Sequence, residues 1–75
     1  MKAYVLINAS PGRALEVAKK LQEAPGITAA DAITGEYDVV AVCEAGDVNA
    51  IGALIVDRIQ KIDGVFKTVT CLAVR

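Results

Sequence analysis

The stretch Thr34-Gly35-Glu36-Tyr37-Asp38 lies between Ile27-Thr28-Ala29-Ala30-Asp31-Ala32-Ile33 and Val39-Val40-Ala41-Val42-Cys43. Both flanks read as strands, because β-branched and small apolar residues dominate them. The polar stretch then reads as a hairpin connection. Gly35-Glu36 suits the centre of a two-residue type II′ turn, since glycine takes positive φ at the first central position without steric cost. Such a hairpin leaves an aromatic ring, Tyr37, and a carboxylate, Asp38, beside a bare glycine backbone. That group suits contact with a small polar ligand. The plain alternative is a solvated turn with Tyr37 packed on an edge.

Working outward from the hairpin, each flanking strand has a helix on its far side. Upstream, Ala3-Tyr4-Val5-Leu6-Ile7 is apolar at both parities and reads as a first strand covered on both faces. Ser10 is then expected to cap a helix with Pro11 at its first position. The helix is expected to run to about Glu23, with Ala14, Leu15, Ala18 and Leu21 as its buried stripe. Glu16 and Lys20 form a favourable pair on its solvated side. Pro25-Gly26 ends it. Downstream of the third strand, Asp47 caps a second helix that runs to about Ile62. Ile51, Leu54, Ile55, Ile59 and Ile62 make its buried face. Gly52 inside it reads as a point of close approach. Asp63-Gly64 ends it, and Val65 to Val74 forms the last strand.

The order is therefore strand, helix, strand, strand, helix, strand. The halves also resemble each other, since Pro25-Gly26-Ile27 and Asp63-Gly64-Val65 hold equivalent places. This predicts an α+β, ferredoxin-like βαββαβ sandwich: a four-stranded antiparallel sheet with two helices on one face. The helices cover one face only. The other face, apolar in the first, third and last strands, is too apolar to stay in water. A symmetric dimer that packs two sheets face to face resolves this. Cys43 and Cys71 read as small buried hydrophobes, two strand spacings or about 9–10 Å apart, which is too far for a disulfide.

Composition narrows the function. The chain has 75 residues, 55 % of them hydrophobic, and a net charge of −1. That fits a single domain (1–75) with more apolar surface than one small core hides. No basic patch stands out, which argues against direct nucleic-acid binding. Neither a signal peptide nor a membrane-spanning run is expected. With no histidine and no CxxC pair, a zinc-type metal site is not expected, nor any other cofactor. An acid–base active site is also not expected, so the chain is read as a non-enzyme in a reducing, cytoplasmic setting.

These features resemble the effector-binding (RAM) domain of the Lrp/AsnC family of transcriptional regulators. Thr34-Gly35-Glu36-Tyr37-Asp38 matches the family's T-G-x-Y/W-D pattern. Asp63-Gly64-Val65 stands where the family usually has P-G-V, and Thr68-Val69-Thr70 follows in the last strand. The resemblance implies an amino-acid-sensing, oligomerising module in transcriptional or metabolic regulation. It implies sheet-to-sheet dimers that assemble into rings such as octamers, with full-length Lrp/AsnC regulators as further partners. The effector would lie in a cleft between dimers, lined by Gly35, Glu36, Tyr37 and Asp38, with Asp38 accepting hydrogen bonds from its ammonium group. Thr68 or Thr70, both set near the cleft by the last strand, would hydrogen-bond its carboxylate. Met1 precedes the first strand almost directly, so a stand-alone effector domain without a helix-turn-helix segment is expected. Two alternatives stand beside this. An ACT-like regulatory domain would bind its amino acid at the Asn8–Arg13 loop. A small dimeric ferredoxin-like enzyme is the other.

Overall fold

The computed structural model describes residues 1–74. Its elements are β1 (Lys2–Ala9), α1 (Ala14–Gln22), β2 (Ile27–Ala32), β3 (Val39–Glu44), α2 (Val48–Leu54) continued by a π-helical turn (Ile55–Ile59), and β4 (Val65–Leu72). The strands lie in the order β2-β3-β1-β4, and every neighbouring pair is antiparallel. This is the βαββαβ sandwich read from the sequence.

The period-2 alternation of β1 assigns the faces. Ala3, Val5 and Ile7 are fully buried, together with Val39, Ala41 and Cys43 of β3. They meet Val17, Ala18 and Leu21 of α1 and Ile51, Ile55 and Ile59 of the second helix in one core. Residues directly opposite each other on neighbouring strands share a face. Leu6 lies opposite Val40 and Val69, and Tyr4 lies opposite Val42 and Cys71. These six form two apolar rows across β3, β1 and β4 on the face without helices.

The helices depart from expectation in instructive ways. Ser10 does not cap α1. The Arg13 N–H donates to the Ser10 carbonyl at 3.0 Å, and Gly12 has φ of +79°. Proline then glycine at the two central positions is the requirement of a type II turn, so the helix starts only at Ala14. Its stripe is Ala14, Val17, Ala18 and Leu21, spaced i, i+3, i+4, i+7. Leu15 falls outside that stripe and is 78 % exposed. Glu16 pairs with Arg13 at 2.6 Å, rather than with Lys20.

Asp47 caps α2 as expected, its Oδ1 accepting from the Ala50 N–H at 2.8 Å. The helix then widens, and the Gln60 N–H reaches back to the Ile55 carbonyl at 2.8 Å. Cys71 is exposed on the open face, while Cys43 is buried under the helices, and both thiols are free. Burial pushes the Cys43 thiol pKa up and keeps it protonated and inert.

Gly52 is not a point of close approach, because a Cβ added there meets nothing within 4 Å. That role falls to Gly26, where an added Cβ would run into the Leu54 side chain. Gly52→Ala therefore removes a helix-interior glycine at no steric cost. Stability is expected to rise by about 1 kcal/mol, or roughly 4–8 °C in Tm for a domain of this size. Thermal denaturation checks it. A fall in Tm would show that another surface needs the bare backbone there.

Candidate functional site

The site grows out of a mismatch in strand length. The last β1–β3 pair is Ile7 opposite Val39, yet β1 continues to Ala9. The Ala9 N–H therefore has no backbone acceptor on the β3 side. Asp38 supplies one with its side chain, as Oδ2 accepts from the Ala9 N–H at 2.8 Å. The Asp38 backbone is used as well. Its N–H donates to the Ile7 carbonyl and its carbonyl accepts from the Ile33 N–H, both at 2.9 Å.

The bond between Ile33 and Asp38 frames a four-residue loop, Thr34–Tyr37, instead of the expected two-residue turn. β2 accordingly ends at Ala32 and β3 begins at Val39. Gly35 does take positive φ, +112°. The Asn8 Nδ2 donates to the Glu36 carbonyl at 2.9 Å and ties the loop to β1. The Ser10 N–H donates to the Gly64 carbonyl at 2.8 Å. The end of β1 thus holds together the β2–β3 loop, the turn into α1 and the entry to β4.

A cavity of about 280 Å³ opens here, lined by the Ala9–Gly12 turn, Ala14, Leu15 and Asp38. Among the described residues no cationic side chain lines it. Arg13 follows Gly12 directly, but its guanidinium lies 2.6 Å from Glu16 and 3.2 Å from Asp63. The hydrogen bond from Arg13 holds the Asp63 carboxyl below its ordinary range. A depressed carboxyl pKa favours the fold at neutral pH and loses its effect as pH falls through the folded-state value, so the Arg13–Asp63 pair persists at neutral pH.

Of the residues singled out in the sequence, Asp38 lies in the cavity wall. Gly35, Glu36 and Tyr37 lie in the adjoining loop, with Glu36 exposed and Tyr37 half-buried. Thr68 and Thr70 lie elsewhere. Opposite the buried Ile7 and Val5, they stand on the helix side of β4, and the Thr68 Oγ1 accepts from Gln60 Nε2 at 3.2 Å. Within one protomer they do not join Asp38. What joins it is the Ala9–Leu15 segment, whose sequence signal is the Pro11-Gly12 turn. Among the described residues, no three His, Cys, Asp or Glu side chains come together in a metal-binding group.

Comparison with known proteins agrees with this fold. A family model, the Lrp/AsnC ligand binding domain, matches residues 2–75. The HTH-type transcriptional regulator PH1916 of Pyrococcus horikoshii is 31 % identical over 74 residues, covering 95 % of this chain and 49 % of that protein. The chain thus spans about half the length of that relative. The crystal structure of TTHA0845 from Thermus thermophilus is 31 % identical, with a TM-score of 0.90 over 99 % of this chain and 92 % of that one. The transcriptional regulator NMB0573 of Neisseria meningitidis, solved as an L-Met complex, shares the fold. Its TM-score is 0.85 at 21 % identity, over 99 % of this chain and 49 % of that one. By sequence along its whole length and by fold, the chain belongs to the Lrp/AsnC family and has the form of that family's ligand-binding domain.

Proposed function

We propose that this domain senses an amino acid and assembles with copies of itself, in transcriptional or metabolic regulation and without contacting DNA. The observation that carries the reading is Asp38. Its carboxylate holds the Ala9 N–H through Oδ2 and lines a cavity large enough for an amino acid. A carboxylate has about four acceptor positions, so a ligand ammonium finds a charge-assisted partner there. The L-Met complex of a protein with the same fold supports the choice of ligand class.

In this reading Gly35, Glu36 and Tyr37 border the ligand through their backbone. Thr68 and Thr70 serve its carboxylate from a neighbouring copy, since they stand apart from Asp38 in one protomer. Dimers form through the two apolar rows of the open sheet face. They can assemble further into rings or with full-length regulators, in the cytoplasm. No helix among the described residues is long and apolar enough to cross a membrane.

The ACT-like reading, with the ligand at Asn8–Arg13, draws on the same cavity, because Asp38 and the Ala9–Gly12 turn line it together. The enzyme reading has little to draw on. Among the described residues the Asp38 carboxylate and the Ser10 hydroxyl are the polar side chains lining the cavity, with no histidine, lysine or second carboxylate to activate either, and the family is regulatory.

An amino-acid panel read by thermal shift, with mass measured alongside, tests the function, because a ligand that binds only the native state raises its apparent stability. Asp38→Asn keeps an oxygen for Ala9 but loses the charge. Affinity for the identified amino acid is expected to fall about tenfold to a hundredfold, as a charge-assisted bond contributes roughly 1.5–3 kcal/mol. Asp38→Ala also strands the Ala9 N–H and should cost about 1–3 kcal/mol of stability. Glu36→Gln should change binding little. Equal affinity in wild type and Asp38→Asn, measured by calorimetry, would remove Asp38 from the site.

Native mass spectrometry at micromolar concentration should find a dimer or larger assembly, and Val42→Lys on the open face should reduce it to monomer. A wild-type monomer at high concentration rules the sheet-face dimer out. Labelled duplex DNA should not be retained at moderate salt. Retention that weakens steeply as salt rises would reveal a basic surface and end the DNA-free reading.

A further inference from the structure

Leu15 is out of place as a core residue. The apolar stripe of α1 runs through Ala14, Val17, Ala18 and Leu21, and Leu15 lies off it with 78 % of its surface exposed. An exposed leucine on its own means little. Here, however, it forms a wall of the cavity that Asp38 also lines. Ala9, Pro11 and Ala14 make the other walls apolar as well. The polar side chains at the cavity are the Asp38 carboxylate and the Ser10 hydroxyl. Arg13, the nearest cation along the chain, is held away by Glu16 and Asp63.

This combination selects as well as binds. A site with one fixed negative charge and no cationic side chain favours an ammonium and disfavours a ligand with a second carboxylate. Walls of alanine, proline and leucine reward the removal of aliphatic surface from water. Once Asp38 holds the ammonium, the Ser10 hydroxyl is the one side-chain partner these walls offer a polar ligand side chain among the described residues, so most of its desolvation cost stands.

We infer that this cavity takes amino acids with an aliphatic side chain in preference to polar or acidic ones, with Leu15 setting that preference and Asp38 holding the ammonium. The inference rests on the amino-acid-sensing reading and specifies its ligand class. Leu15 is a specificity-determining residue, and its exposure makes it replaceable without damage to the core.

The test is calorimetry with isosteric pairs that differ in polarity but hardly in shape: L-leucine with L-asparagine, and L-valine with L-threonine. L-glutamate is added, with isopentylamine (leucine without its carboxylate) and isocaproate (leucine without its amine). In the wild type the apolar member of each pair should bind roughly tenfold tighter or more. Glutamate and isocaproate should bind weakly, and isopentylamine should retain measurable binding.

Leu15→Gln should bring the leucine-to-asparagine ratio to within about threefold while the thermal midpoint stays unchanged, and Leu15→Met should retain the ratio. Asp38→Asn should weaken every ammonium ligand alike and leave the ratio intact. Asparagine binding as tightly as leucine, or a ratio that Leu15→Gln leaves unchanged, overturns the inference while amino-acid sensing stands. If no amino acid on the panel binds the wild type, both fall together.

Discussion

The Ala9 N–H is the group on which the functional end of this fold depends. β1 outruns β3, and a backbone donor without an acceptor costs free energy comparable to a lost hydrogen bond. Asp38 removes that cost with its carboxylate, and its own N–H and carbonyl close the adjoining ladder on both sides. Because one residue does all three, the β2–β3 loop cannot move without releasing the end of β1. The loop is wider than a tight hairpin for the same reason. Asp38 turns aside to serve β1, and the chain takes four residues to return to β2.

A second constraint is size. A chain of 75 residues buries only about 60 % of its unfolded surface, and its two helices shield one face of the sheet. The core beneath them is closely filled, with Ile7, Val5, Val39, Leu21 and Ile59 all fully buried. On the other face Leu6, Val40, Val42 and Val69 are only half-buried, with Tyr4 40 % exposed. The edges of that face are polar: Lys2 lies over the Tyr4 ring at 5.2 Å, and Asp31 and Lys67 stand outside the rows. A contiguous apolar centre with a charged border is the pattern of a contact surface.

Much of this was legible in the sequence, and the failures have physical causes. Strand order and topology followed from periodicity and from glycine and proline punctuation, because few arrangements of βαββαβ satisfy right-handed crossovers. The second helix is plain in the sequence because Asp47 and the Ile51, Ile55, Ile59 series agree. The start of the first is ambiguous. Ser10-Pro11 has the composition of both a helix cap and a turn, and Gly12 decided for the turn. The misplaced start drew Leu15 into the stripe in place of Val17. At the hairpin, the positive φ of Gly35 is legible in the sequence, but the loop length goes with the bond from Ala9 to Asp38, which joins residues far apart in the chain. For Thr68 and Thr70, strand periodicity assigns a face to each but does not say which cavity that face borders.

The same bond shapes what a ligand at Asp38 would do to the protein. The network that meets there is mostly backbone: Ser10 to Gly64, Ile33 to Asp38 and Asp38 to Ile7. Substituting side chains along those links leaves the bonds themselves in place. Only two links are made by side chains, Asn8 to the Glu36 carbonyl and Asp38 to the Ala9 N–H, and only Asp38 carries charge. A cation at its carboxylate would add to the Ala9 contact without displacing it, since the acceptor positions exceed the donors already present. Such a ligand tightens the existing junction between β1, the β2–β3 loop and the turn into α1. The physical change it can impose is therefore restraint of segments already joined, at the end of the sheet where β4 also enters.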